Sequence, residues 1–324
     1  MIKQDRRRLL MTAAALAAGS SVRAQSWPAK PIRLIDPFTP GGSSDILGRS
    51  VATKISESLG QSVVLENVPG AGGSLGADRV AKSAPDGYTL LVGHIGTMAV
   101  SPLIYPNLPY NPLKDFTPVA WIANVINVLV VHPSVPAKNL QELLAYARSH
   151  PGKLNYGSGG NGSAAHLATE YLKLRSKVFI VHVPYRGTAP AMVDTISGQI
   201  QMVFTGAPAV MSAVKSGQLR ALAVSSSKRL EALPDIPTVA ESGFPGFEAD
   251  QWYGIMAPAG TPADIVNRLN TLTNQALGTP ELKTRLQGLG AVAMPNTPEA
   301  FGRHIADEIE RWRPVVKAGN IRPS

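Results

Sequence analysis

With 324 residues, 44% of them hydrophobic, and no cysteine, the chain is long enough to bury a core without disulfides. Its formal net charge is +9, but the first 24 residues carry Lys3, Arg6, Arg7, Arg8 and Arg23 against Asp5, a net of +4 that leaves +5 on the 300 residues after them. The remaining cations, such as those from Arg220 to Arg229, are scattered rather than clustered, which argues against a nucleic-acid partner.

Residues 1–24 read as a cleavable export signal: a basic start, an apolar run from Leu9 to Ala18, and the small-residue end Val22-Arg23-Ala24. That run is too short to span a bilayer. Arg6-Arg7-Arg8-Leu9-Leu10 fits the twin-arginine pattern, and an ordinary secretory signal fits equally well, so both export routes stay open. The expected product is a soluble protein outside the cytoplasm.

Beyond the signal, strand IRLI is followed by the turn Pro40-Gly41-Gly42-Ser43-Ser44 and a helix with Ile46, Leu47, Val51, Ile55 and Leu59 at helical spacing. Strand SVVLENV, the turn Val68-Pro69-Gly70-Ala71-Gly72, a helix through Val80 and strand TLLVG follow. From Leu154 the same order returns: LNYGS, the turn GGNGS, a helix with Leu167, Tyr171 and Leu174, VFIVHV, Val183-Pro184-Tyr185-Arg186-Gly187, a helix over 189–196, and IQMVF. Strands alternating with helices predict parallel βαβ units with ligands at the carboxyl ends of the strands. Two such units predict two lobes around a cleft, 25–124 plus 247–324 and 125–246, with crossovers in the apolar segments 125–131 and 247–257. The tail has three Thr-Pro helix starts, at Thr261, Thr279 and Thr297, and a last helix with Phe301, Ile305, Ile309, Trp312 and Val316 on one face. It is expected to pack back on the first lobe.

The two glycine turns are the candidate site. Each opens a helix, where backbone N–H groups have no partner within the helix and attract an anion. Glycine is expected at Gly42 for its backbone freedom and lack of bulk. His166, in the first turn of its helix, is expected to be neutral, and His94 to look into the cleft. Phe38, Tyr185 and Trp252 are candidate pocket walls. The histidines show no metal-ligand spacing, and no cofactor motif is present: the first turn lacks the GKS/GKT ending of a nucleotide phosphate loop. A rival reading is a secreted serine hydrolase, since Gly72-Gly73-Ser74-Leu75-Gly76 matches G-x-S-x-G; Pro69-Gly70-Ala71 stands where the strand should run into the serine.

The stretches IRLIDPFTPGGSSDILGR, ENVPGAGGSLGADRVAKSAPDGYTLLVG, LNYGSGGNGSAAHLATEYLK, VPYRGTAPAMVDTISGQI and KRLEALPDIPTVAESGFPGFE resemble the substrate-binding proteins of tripartite tricarboxylate transporters, the Bug or TctC family. The resemblance implies an α/β, two-lobed periplasmic-binding-protein fold of type II kind, each lobe a βαβ-based sheet flanked by helices. It implies a monomer that closes on a small carboxylate and delivers it to a permease of a large and a small membrane subunit, without catalysis or cofactor. Carried over by position, the ligand-binding residues are Phe38, Thr39, Gly41, Gly42, Ser43 and Asp45 from one lobe. The other lobe contributes Ser158, Asn161, Gly162, Ser163 and His166, with Arg186, Gly187 and Thr205 at the rim. Two positions depart from the family's habit: Asp36 where an apolar residue is common, and Thr205 where an aspartate is common. Threonine cannot pair with an ammonium, which points to a di- or tricarboxylate or an aromatic acid. Asp36 either bonds nearby backbone or faces the cleft, where it would repel anions.

Overall fold

The computed structural model describes residues 27–322, so the expected export signal lies outside the described residues. Among those residues, no helix is long and apolar enough to cross a membrane.

The chain begins with β1 (Ile32–Asp36), α1 (Ser43–Leu59), β2 (Val63–Asn67), α2 (Ser74–Ala81) and β3 (Thr89–His94). Strand β1 pairs in parallel with β2 on one side and β3 on the other. The apolar stripe of α1, Leu47, Val51, Ile55 and Leu59, is buried over this sheet. A short α3 (Ser101–Ile104) leads to β4 (Phe116–Val125). After Ile126 the chain enters a second sheet as β5 (Asn127–Val131). There it builds α4 (Leu140–Ser149), β6 (Asn155–Ser158), α5 (Ala164–Ser176), β7 (Val181–Pro184), α6 (Thr188–Ile196), β8 (Met202–Gly206), α7 (Ala207–Lys215) and β9 (Arg220–Val224). It returns as β10 (Gln251–Pro258) and finishes with α8 (Ala263–Gly278), α9 (Pro280–Gly288), β11 (Ala291–Ala293) and α10 (Pro298–Ala318).

The first sheet runs β11-β4-β10-β3-β1-β2 and the second β7-β6-β8-β5-β9. Each holds a parallel trio, β2-β1-β3 and β7-β6-β8, the two repeats seen in the sequence. Beside each trio lies an antiparallel strand, β10 in one sheet and β5 in the other. The apolar segments expected to be crossovers are therefore mostly strands: β5 and β10 are buried along their whole length. Among the described residues, only Ile126 and residues 225–250 pass between the sheets. This passage is tied together by Asn127, whose backbone N–H donates to Ser225 Oγ at 2.8 Å and whose Nδ2 donates to Ala249 O at 2.6 Å. Gln251 Nε2 donates in turn to Asn127 Oδ1.

The tail does pack on the first sheet. Helix α10 buries Phe301, Ile305, Ile309, Trp312 and Val316, and Trp252 and Trp312 both donate their ring N–H to the buried Glu308 carboxylate, at 3.3 and 3.1 Å. Thr279 and Thr297 cap α9 and α10 as their Thr-Pro pattern predicts, but Thr261 does not cap α8. Its hydroxyl donates to Pro258 O at the end of β10 instead.

Candidate ligand-binding cleft

Between the sheets, α1, α5 and α6 point their N-termini at one small cavity, and α7 begins at its wall. Its lining draws Phe38, Gly42, Ser43 and Ser44 from the first turn, and Ser163, Ala164 and Ala165 from the second. Thr188 opens α6, Thr205 is the next-to-last residue of β8, and His94, Gln251 and Tyr253 come from β3 and β10. Water centres reach about 20 Å³ of this space, room for about one ordered water. Helices α1, α6 and α7 all start at a glycine, Gly42, Gly187 and Gly206, with no side-chain cap. Their first N–H groups are thus not satisfied by the chain's own capping, and they favour negative charge. The lining carries hydroxyls, an amide and a phenol, but no Lys, Arg, Asp or Glu.

The remaining candidates surround this cavity. Gly41, with φ at 86°, takes the left-handed turn that favours glycine, and its N–H donates to Asp45 Oδ2 at 3.1 Å. Gly42 has φ −79°, an ordinary value, and an added Cβ would meet nothing closer than 3.8 Å. The backbone freedom expected at Gly42 is needed one residue earlier. Asp45 is buried behind the turn; burial alone would push its pKa up, but hydrogen bonds from Arg49, Gly41 and Asn67 hold it below the usual value. Ser158 bonds His182 Nε2 at 2.6 Å and the Gly160 N–H at 3.1 Å, and so shapes the second turn from within. His166 accepts the Gly162 N–H on Nδ1 at 3.1 Å and stacks on His182 at 4.3 Å. Burial lowers its pKa to about 4, so the ring is neutral, as expected.

Thr39, Asn161, Gly187 and Arg186 lie farther out. Thr39, Asn161 and the exposed Arg186 border a wider groove of about 620 Å³ at the cleft mouth, which Tyr185 also lines. There the lobes touch: Tyr105 OH donates to Asn161 O at 3.1 Å, and an added Cβ on Gly187 would stand 2.1 Å from Thr39 Oγ1.

Asp36 neither faces the cavity nor merely bonds backbone. It is fully buried beneath the first turn, accepting from Phe38 N at 3.3 Å, Ser44 Oγ at 3.1 Å and Asn67 Nδ2 at 3.1 Å. Of the candidate walls, Phe38 lines the cavity and stacks on His94 at 4.6 Å. Trp252 faces away from it, toward Glu308, while its neighbours Gln251 and Tyr253 face in. Alternation along a strand makes this a one-residue difference. The sequence alone does not mark Thr188, Gln251 or Tyr253, and it marks Ser44 only as part of the first turn; for Gln251 and Tyr253, their position on either side of the expected Trp252 is the available signal. His94 does reach the cavity. Its Nδ1 accepts the Gly96 N–H at 2.6 Å, and burial lowers its pKa to about 3, leaving a neutral ring with its proton on Nε2.

The elbow geometry of a serine hydrolase is not formed. Ser74 follows a 3-10 turn over Ala71–Gly73, well past the end of β2, and its buried hydroxyl bonds no base among the described residues. Those residues also contain no metal-binding cluster.

Comparison with known proteins agrees with this architecture. The profile of the family described as "Tripartite tricarboxylate transporter family receptor" matches residues 47–321. The protein BugT of Bordetella pertussis is 41% identical over 297 residues, 91% of each chain. An R. palustris protein solved with adipate is 40% identical with a TM-score of 0.90, covering 92% of this chain and 100% of its own. MatC from Rhodopseudomonas palustris, solved with bound malate, is 36% identical with a TM-score of 0.87, covering 90% of this chain and 100% of its own. The chain therefore belongs to the Bug/TctC family of tripartite tricarboxylate transporter receptors.

Proposed function

We propose that this protein is a periplasmic solute-binding protein that captures a small carboxylate in the cleft and hands it, chemically unchanged, to a tripartite permease. The observation that carries this reading is the convergence of helix N-termini from both lobes on a cavity lined by neutral donors. Each helix end contributes ~0.3–1 kcal/mol toward an anion, up to ~2 when partly buried. Micromolar affinity needs about 8 kcal/mol, so direct hydrogen bonds and water bridges supply most of it. Gly42, Ser43, Ser163 and Thr205 form the inner contacts in this reading, and Arg186 stands at the mouth. The relatives solved with adipate and malate make dicarboxylates the first class to try.

In the same reading the lobes are residues 25–124 with 247–324, and residues 125–246. The protein acts as a monomer that hinges at Ile126 and residues 225–250. Thermal-shift screening of the exported chain against mono-, di- and tricarboxylates and aromatic acids tests it. Ligand at about 100 times its dissociation constant adds about 2.7 kcal/mol, a visible rise in Tm. No shift with any carboxylate, or ester turnover that disappears in Ser74→Ala, would overturn it.

A further inference from the structure

The wall behind the first turn sets two carboxyl groups, Asp36 and Asp45, against one guanidinium. Asp36 and Asp45 share one amide: Asn67 Nδ2 lies 3.1 Å from Asp36 Oδ2 and 3.1 Å from Asp45 Oδ1. The one guanidinium nearby, Arg49, is bonded to Asp45 at 2.9 Å. Asp36 is left with neutral donors only, Phe38 N, Asn67 Nδ2 and Ser44 Oγ. The groups around it are Asp45 and Arg49 on α1, Asn67 on β2, the neutral His94 behind Phe38 on β3, and on β10 Tyr253, whose phenol is held protonated by burial and by Asp36 itself. Ser44 lies between Asp36 and the cavity and lines both.

A serine hydroxyl has one proton to donate. While Asp36 is ionised, Ser44 gives that proton to Asp36 Oδ2 and presents only lone pairs to the cavity, the wrong polarity for an anion. We propose that Asp36 takes up a proton as a carboxylate binds in the cleft, reversing its hydrogen bond with Ser44 so that the Ser44 hydroxyl donates to the anion. The proton comes from solvent and forms an O–H bond on Asp36 Oδ2. That O–H donates to Ser44 Oγ, and the Ser44 O–H turns into the cavity. The bound anion's charge is thereby offset by loss of the buried one beside it. Burial pushes the Asp36 pKa up to about 8, so it is above this pH that the free protein has lost the proton and can take it up with the ligand. This inference rests on the carboxylate reading above, and it deepens it: above about pH 8 the solute enters with one proton.

The test is titration calorimetry of the exported chain with adipate and with malate, both fully ionised at the pH values used, in paired buffers of different ionisation enthalpy. At about pH 9 the wild type should take up about one proton per ligand, and its Kd should weaken about tenfold per pH unit above pH 8. Asp36→Asn, whose amide can donate to Ser44 permanently, should bind with no proton uptake and a Kd flat across that range. Ser44→Ala guards against a poorly folded Asp36 variant: without the Ser44 donor, Asp36 holds its proton before ligand arrives, so uptake at pH 9 should fall. Wild-type binding without proton uptake, or uptake unchanged in Asp36→Asn, would overturn the proton-coupled relay alone. No binding of any carboxylate at any pH would overturn the carboxylate reading and this inference with it.

Discussion

The two glycine turns follow the same strand-turn-helix order but are supported from behind by opposite chemistry. The first rests on charge: Asp36, Asp45, Arg49 and Asn67 interlock beneath it. The second rests on neutral rings, with His182 stacked between Tyr156 at 4.7 Å and His166 at 4.3 Å. They also use serine differently. Ser163 accepts the His166 N–H and caps its own helix, whereas Gly42 leaves α1 uncapped, and Ser43 and Ser44 reach to Gly206 O and Asp36. The same backbone shape can thus be held by an ionisable base or by an uncharged one. The two supports therefore answer to pH in opposite directions: raising pH ionises Asp36, whereas lowering it charges the rings.

Closure should dominate every other effect, because neither turn is complete alone. Gly187 has extended backbone, so Gly187→Val adds no local strain; its new Cβ would strike Thr39 across the cleft at 2.1 Å. If the closed population falls to about 1%, affinity falls about a hundredfold, while the fold by circular dichroism stays intact. Small-angle scattering with ligand should show this variant remaining expanded while the wild type contracts.

Stability against pH separates the two supports next. The folded state keeps a proton on Asp36 up to about pH 8, whereas the unfolded chain loses it near 3.8. Raising pH through this window therefore removes stability. His94 and His182, lowered by burial to about 3, and His166, lowered to about 4, act with the reverse sign. The unfolded chain protonates these rings near 6.5 and the folded one does not, so stability falls as pH drops below that value. Denaturant titrations should show wild-type stability declining from about pH 6.5 to 8, a decline absent in Asp36→Asn, and both chains weakening below pH 6.5.

Smaller contrasts come from the serines. Ser163→Ala removes a cap and should cost about 1 kcal/mol of folding stability. Ser43→Ala should leave stability nearly unchanged but weaken binding about two- to tenfold, the worth of one hydrogen bond at ~0.5–1.5 kcal/mol. Ser74→Ala, outside the cavity, should change binding least, within calorimetric error.

Much of this architecture was legible because it is local. Gly41-Gly42-Ser43 after an apolar run marks a strand-to-helix turn without reference to the rest of the chain, and the second βαβ unit repeats the pattern. The antiparallel strands β5 and β10 were not legible as such, since an apolar run carries no mark of which sheet it enters. The register of β10 decides whether Gln251 or Trp252 meets the cavity, and that depends on pairing with β3 and β4. Asp36 was equally undecidable from sequence: its partners Ser44 and Asn67 come from two other elements, and only their convergence turns a carboxylate at a strand end into a buried base.

Strand β10 lies between β3 and β4, yet the ribosome makes it only after the entire second sheet. The first sheet thus waits, its central place unfilled, while residues 127–224 emerge as an unbroken stretch that already contains every strand of the second. Hydrogen-exchange labelling during refolding should show amides of β6 and β8 protected before those of β3 and β4. A chain cut short before residue 251 should keep the first sheet open. The order in which this molecule becomes a cleft is therefore the reverse of the order in which its lobes begin.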